Sequence, residues 1–322
     1  MSVDATILGA GVAGLATAHE LTARGLSVRL IDPAGGPGAH HCSWWAGGML
    51  APECEGETAE PQVVRLGRDA ARWWEAAGAQ VTHAGSLVLA LGRDRRELDR
   101  FARRTERHET LDRAGIAALE PDLSERFDRA LHFPTEAHLS PRDALAALRA
   151  GLAGKGVEIL PEAPHEGRLI DCRGLAARDR LPDLRGVRGE MAVLRTSEVA
   201  LSRPVRLLHP RHPLYIVPRG GGIHMLGATQ IEGDSRGPAT LRSVVELLNA
   251  AYALHPAFAE AEVLELGADA RPAFPDNLPR VVAQDDRIHV NGLFRHGFLM
   301  APALARAVAG QLTGQPTPEV TP

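Results

Sequence analysis

Three glycines in the spacing Gly9-x-Gly11-x-x-Gly14, followed by an acid at Asp32, could do one kind of chemistry together, the binding of a dinucleotide. Gly9 permits a tight turn and Gly11 lets the backbone approach a pyrophosphate. Gly14 lets a helix pack close to a strand with its N-terminus facing the phosphates. Asp32 would accept hydrogen bonds from a ribose. The apolar run Ala5 to Leu8 supplies the first strand, Leu15 to Thr22 the helix, and Leu26 to Ile31 the second strand. A glycine-rich packing turn without a ligand would account for the triplet, but not for strand, helix, strand and acid together. The unit leaves NAD and FAD open.

Other reactive groups offer less. Lys155 is the only lysine, which argues against Schiff-base chemistry. Cys42, Cys54 and Cys172 lack metal or redox spacing, and an odd count argues against a secreted disulfide framework. His40-His41 and His209-x-x-His212 lack the carboxylate or cysteine company of a metal site; both are expected in loops, and no metal is expected. Trp73-Trp74 reads as packing. The charges from Arg93 to Arg107 are balanced by Glu97, Asp99, Glu106 and Glu109 into a solvated face. A net charge of -4 gives no electrostatic footprint for nucleic acid. No run approaches the roughly 18 apolar residues that span a membrane. The first apolar stretch lacks a basic leader and is consumed by the nucleotide unit, so the expected location is the cytoplasm.

These groups need a frame, and 322 residues allow two lobes. The expected fold class is α/β, a Rossmann-like domain with an inserted, mainly antiparallel β-sheet domain. Residues 1–80, 138–188 and 280–315 are expected to form the first, residues 81–137 and 189–279 the second, and residues 316–322 a disordered tail. Helices are expected over Gln62 to Ala77, Arg93 to Glu109, Asp112 to Leu119, Pro141 to Gly154 with Ser140 as its cap, Thr240 to Leu254 and Ala303 to Leu312. Strands are expected at Ser86 to Leu91, Ala130 to Phe133, Val157 to Leu160, Arg168 to Cys172, Gly189 to Leu194, Leu214 to Pro218, His224 to Ala228, Val263 to Gly267 and Ile288 to Val290, with a proline-broken loop from Arg271 to Pro279.

Three further stretches carry a resemblance across nearly the whole chain. They are Ala46-Gly47-Gly48-Met49-Leu50-Ala51-Pro52 with Glu53-Cys54, then Tyr215-Ile216-Val217-Pro218-Arg219 followed by Gly227-Ala228-Thr229, and last Arg271-Pro272-x-x-x-Asp276-x-x-Pro279 with Asn291 to Pro302. Together they resemble the FAD-dependent amino acid oxidases of the D-amino acid oxidase class, most closely the glycine oxidases of thiamine biosynthesis. The resemblance implies FAD as the dinucleotide, with Val12 and Ala13 at its pyrophosphate, Cys42 and Ser43 near the phosphates, and Gly47, Gly48 and Met49 along the isoalloxazine. Leu293, Phe294, Arg295, His296, Gly297, Phe298 and Leu299 would close over the far side of the flavin. Two departures stand out. A hairpin usual in the family is replaced by the short connection from Pro161 to Gly167, and Gln230 stands where the glycine oxidase pattern often has methionine at the substrate.

In such a site Arg271 would clamp the substrate carboxylate with a planar pair of hydrogen bonds. Its bland alternative is a loop-holding pair with Asp276. Tyr215 would offer its phenol to the same carboxylate, or else be a half-buried core residue. Arg295 would line the pocket or stabilise negative charge on the reduced ring, while a lone His296 is more often a packing or capping group than a proton shuttle. The implied reaction is oxidative deamination of glycine or another small amino acid, giving an imine and then the oxo acid, ammonia and hydrogen peroxide. Passage of electrons to a quinone or carrier, a non-enzymatic flavoprotein scaffold and an NAD-dependent dehydrogenase are the rival readings. A homo-oligomer is a family-level expectation.

Overall fold

The four residues Ala5–Leu8 are all buried, and they form the central strand of a six-stranded sheet. The structure is a computed structural model that describes residues 3–209 and 214–315. In sheet order the strands are Arg280–Gln284, Arg287–Asn291, Arg168–Asp171, Ala5–Leu8, Val28–Ile31 and Ile159–Leu160, parallel except for the hairpin formed by the first two. Burial on both faces explains why Ala5–Leu8 reads as a continuous apolar run with no alternation. Small residues along helix Val12–Ala23 let helices Gly297–Leu312 and Pro141–Ala153 pack against it.

A nine-stranded, largely antiparallel sheet forms the second layer. Its order is Ile231–Glu232, Arg185–Arg195, Ile223–Gly227, Leu214–Gly220, Val205–Leu208, Ser86–Ala90, Arg129–Phe133 and Glu109–Asp112, with Glu262–Ala273 also pairing along Arg185–Arg195. Helix Leu241–Leu254 covers one face, and its Leu247, Ala251 and Leu254 share one hydrophobic core with Leu87, Ile216 and Leu226. A third sheet joins Met49–Leu50, Ala137–Leu139 and Val81–Thr82. Residues from all three sheets line one cavity.

Several elements differ from the sequence reading. The stretch 62–77 is two helices, Pro61–Gly67 and Ala70–Ala76; the break follows Gly67, whose missing side chain admits Leu299, since a Cβ there would lie 2.8 Å from it. The charged helix is only Arg95–Arg104, because Glu109–Asp112 pairs at the edge of the large sheet, where backbone bonding overrides a helix-like charge pattern. Ser140 occupies the N-cap position without a capping hydrogen bond. Arg271 and Pro272 belong to strand Glu262–Ala273 and not to a loop; proline is tolerated because this is an edge strand.

The last helix starts at Gly297, six residues before the expected start, and runs through Pro302. Proline cannot donate to the carbonyl of residue 298, but Trp74 Nε1 does so at 2.8 Å, which satisfies the freed acceptor. Trp73-Trp74 is thus packing, as read, and also mends a helix. Residues 161–167 connect Ile159–Leu160 to Arg168–Asp171 without a strand of their own. Pro210, His212 and Pro213, and the tail after Gln315, lie outside the described residues. Among the described residues, no helix is long and apolar enough to cross a membrane.

Candidate cofactor and substrate site

The first strand delivers the chain to Gly9, whose φ of +94° and whose approach to Cys172 O, 2.7 Å from where a Cβ would sit, leave room for no side chain. A Cβ on Gly14 would lie 1.8 Å from Gly9 O, so this glycine serves the close strand-to-helix packing and stands behind the cavity wall. Gly9, Gly11, Val12 and Ala13 do face the cavity. Val12 N–H donates to Ser43 Oγ at 3.1 Å, which ties the helix start to the segment carrying Cys42 and Ser43.

Asp32 accepts from Ala10 N–H (2.7 Å), Ala34 N–H (2.9 Å) and the His41 ring (2.9 Å). Burial pushes its carboxyl up, but the His41 bond and the two amides outweigh this and hold it below its ordinary value. Asp32 is therefore a carboxylate fixed at the end of the second strand, where an acceptor for a ribose belongs. The expectation that the first histidine pair lacks carboxylate company is corrected here. Asp32 folds back onto it, and one ligand atom each from Asp32, His40 and His41 lie within 4.8 Å of one another. Sequence spacing hid this, because the tight turns after Asp32 fold the chain back.

From this cradle a cavity of about 1200 Å³ runs to the large sheet. It exceeds the roughly 300–1,000 Å³ of an ordinary ligand pocket, as a dinucleotide plus a substrate requires. Cys42, Ser43, Gly47, Gly48 and Met49 line it, and so do Leu293, Phe294, Arg295, His296, Gly297, Phe298 and Leu299. Burial pushes the Cys42 thiol up to about 12, so it is no nucleophile.

Arg271 and Tyr215 meet at the far end. Arg271 donates to Thr229 O at 2.8 Å and more weakly to Val187 O and Arg188 O, and it lies over the Phe294 ring. Asp276 bonds Arg280 and Leu278 N–H instead, so the loop-holding alternative for Arg271 falls away. Among the described residues no carboxylate reaches the Arg271 guanidinium, and burial lowers its pKa. Gly189, which the sequence did not single out, makes the room: a Cβ there would sit 2.9 Å from Arg271 Cζ. Gly47 and Gly227 do the same for Tyr215, with 2.7 and 2.6 Å from a Cβ to its ring and hydroxyl. Burial raises the Tyr215 phenol, so it stays protonated and able to donate.

Arg295 is placed beside the cavity but is not free. Its Nε lies 2.9 Å from Glu55 Oε2, and its Nη2 donates to the Thr58 hydroxyl. Glu55 also takes Arg206 at 2.6 Å; burial opposes its ionisation, yet Arg295 and Arg206 hold it far below the usual carboxylate range. Sequence reasoning missed Glu55 and Arg206, which are far apart in the chain. The one signal was that Glu55 follows directly on the Gly47 to Cys54 segment. His296 is buried at the start of the last helix, and burial brings its pKa down to about 4, which makes it a neutral packing group. Gln230 lines the cavity and is exposed in it.

The cavity thus joins a dinucleotide cradle to a buried guanidinium that meets no carboxylate among the described residues. Residues 4–311 match the family described as FAD dependent oxidoreductase, and the chain belongs to that family. Its cofactor is FAD, and the protein is an oxidoreductase. Among its relatives, the putative thiamine biosynthesis oxidoreductase ThiO of Rhizobium etli is 59% identical over 319 residues, covering 97% of each chain. The glycine oxidase of Pseudomonas aeruginosa is 26% identical over 98% of this chain and 96% of its own. Among solved structures, the glycine oxidase of Geobacillus kaustophilus shares the fold with a TM-score of 0.81 at 24% identity, covering 98% of this chain and 95% of that one.

Proposed function

We propose that this chain oxidises glycine, or a comparably small amino acid, with dioxygen as electron acceptor, and that the product serves the making of thiamine. The observation that carries this reading is Arg271, a desolvated cation with no carboxylate partner at the end of the FAD cavity. Such a charge is unfavourable unless a ligand brings the opposite one. The ThiO relative supports the biosynthetic part.

Bound FAD supplies the hydride acceptor. Arg271 binds the substrate carboxylate through paired N–H donors, and the protonated Tyr215 phenol donates to the same group. Glu55 occupies Arg206 and Arg295, so neither competes with Arg271 for the carboxylate. Gly47, Gly189 and Gly227 hold no side chain against these two donors, so their positions are set by backbone. The amine is left unclamped, to bind in its neutral form; loss of hydride from Cα then gives an imine that water hydrolyses to oxo acid and ammonia.

The test is the visible spectrum of the purified holoprotein before and after anaerobic addition of glycine, sarcosine or D-alanine. Bleaching by glycine, reversed by air with formation of hydrogen peroxide, is the expected result. Bleaching by another amine alone would overturn the substrate, and failure of air to restore the colour would overturn dioxygen as acceptor.

A further inference from the structure

Strand Leu214–Gly220 carries Tyr215 and Arg219 four residues apart, Arg219 standing at a register shift between Pro218 and Gly220. Both address the same glycine. The Tyr215 ring lies against Gly47, and Arg219 Nη2 donates to Gly47 O at 2.6 Å while its Nη1 donates to Leu139 O at 3.0 Å. Leu139 is in turn tied to the neighbouring residue, its N–H donating to Gly48 O at 2.9 Å. One guanidinium thus bridges the large sheet, the three-stranded sheet and the Gly47-Gly48 wall of the cavity. Two carbonyls from different segments match the planar fork of arginine, and a lysine ammonium cannot reproduce that reach.

The charge balance around Arg219 is unusual. Arg188, Arg203 and Arg206, also set into the large-sheet lobe, are matched by Glu190, Glu120 and Glu55 at 2.6 to 2.8 Å. Arg219 has no carboxylate within ion-pair distance among the described residues, and only carbonyls accept from it. Burial brings its pKa down to about 10, which leaves it a cation at neutral pH. Arg271 is likewise buried without a carboxylate among the described residues, and in the proposed function its counter-charge arrives with the substrate. Arg219 stands behind the Gly47-Gly48 wall, and with a flavin ring along that wall the arriving negative charge would be that of the reduced ring.

We propose that Arg219 is a positioning residue for the flavin: it clasps the Gly47 and Leu139 carbonyls to fix the cavity wall, and its unmatched charge favours the reduced, negatively charged ring. This rests on FAD filling the cavity and not on which amine is oxidised, so the probe is sulfite, whose addition to an oxidised flavin puts negative charge on the ring without any substrate. In R219Q holoenzyme the sulfite dissociation constant rises about tenfold or more, and the flavin midpoint potential falls by about 30 mV for each tenfold in a two-electron couple. In R219K both stay near wild type while FAD dissociates more readily, because the charge remains and the two-carbonyl clasp does not. R219Q with wild-type sulfite affinity and potential overturns the proposal. Should R219Q lose its flavin, R219K decides: unchanged sulfite affinity supports the proposal, and a roughly tenfold loss with the charge in place overturns it. A wild-type protein that takes up no FAD would instead defeat the cofactor assignment itself.

Discussion

Replacing Arg271 by methionine separates a substrate clamp from a structural arginine. In the structure this side chain makes one short hydrogen bond, to Thr229 O at 2.8 Å, and two long ones at 3.3 and 3.5 Å to the Val187 and Arg188 carbonyls. Losing the short bond costs about 1 kcal/mol of stability. Removing an unmatched, desolvated charge offsets that and more, and methionine follows the aliphatic stem of arginine, so the folded protein should melt at or above the wild-type temperature. The substrate loses much more. Truncating one partner of a buried, hydrogen-bonded charge pair costs 2–5 kcal/mol, and about 3 kcal/mol is about 150-fold in kcat/KM. Lysine, which keeps the charge and loses the fork, should fall between the two. The assay is stopped-flow bleaching of the flavin by glycine without oxygen, with a thermal melt and an FAD measurement on the same preparation. Bleaching at the wild-type rate would refute the clamp, and a melting temperature several degrees lower would show that Arg271 holds the fold.

Three further outcomes follow from the same geometry. Asp32→Asn leaves Ala10, Ala34 and His41 with a weaker acceptor and offers a ribose no charge, so FAD should bind about tenfold more weakly in a fluorescence titration of the apoprotein; unchanged affinity would remove Asp32 from the site. Gly227→Ala would bring a Cβ to 2.6 Å from the Tyr215 hydroxyl, and the displaced phenol should lower glycine turnover by about tenfold with FAD retained, which steady-state oxygen consumption would read. Glu136, whose carboxylate accepts from Cys54 N–H at 2.7 Å, is raised by burial from 4.5 to about 7, so the stability linked to its proton is complete below the unfolded value and lost as the pH rises through the folded one. Glu136→Gln keeps the neutral form, and its melting temperature should gain on wild type between pH 5 and 8; a constant difference across that range would show that Glu136 is ionised throughout.

Local elements with strong signals were legible in the sequence. The βαβ unit could be read because Gly9, Gly14 and Asp32 are tied by spacing to one geometry, and because a buried parallel strand such as Ala5–Leu8 is apolar throughout. What failed was whatever depended on a distant partner. The helix through Pro302 reads as broken until Trp74, more than two hundred residues away in sequence, supplies the donor to Phe298 O. The strand Glu109–Asp112 looks like the end of a charged helix until its pairing with Arg129–Phe133 is known. The strand Arg280–Gln284, read only as the residues after a loop, forms a hairpin with Arg287–Asn291, turning at Asp285 with φ of 53°.

The same division runs through the site, and it explains what its charges do. Arg271, Tyr215 and Arg295 were found through a family resemblance, which named the residues and left their electrostatics unstated. The fold gives Arg295 a carboxylate and denies one to Arg271. The residue that draws the distinction is Glu55, which pattern could not reveal, since its partners Arg206 and Arg295 come from different parts of the chain. If both arginines stood unpaired, they would compete with Arg271 for a small monocarboxylate. With Glu55 holding both, Arg271 would be left to orient the carboxylate, and the glycines around it and Tyr215 would keep that setting free of side-chain rotamers. Glu55→Gln should therefore broaden acceptance toward dicarboxylic amino acids while weakening glycine binding. A panel comparing glycine with aspartate for flavin bleaching reads both effects, and unchanged selectivity would mean that Arg206 and Arg295 are shielded from the substrate by something other than this pairing.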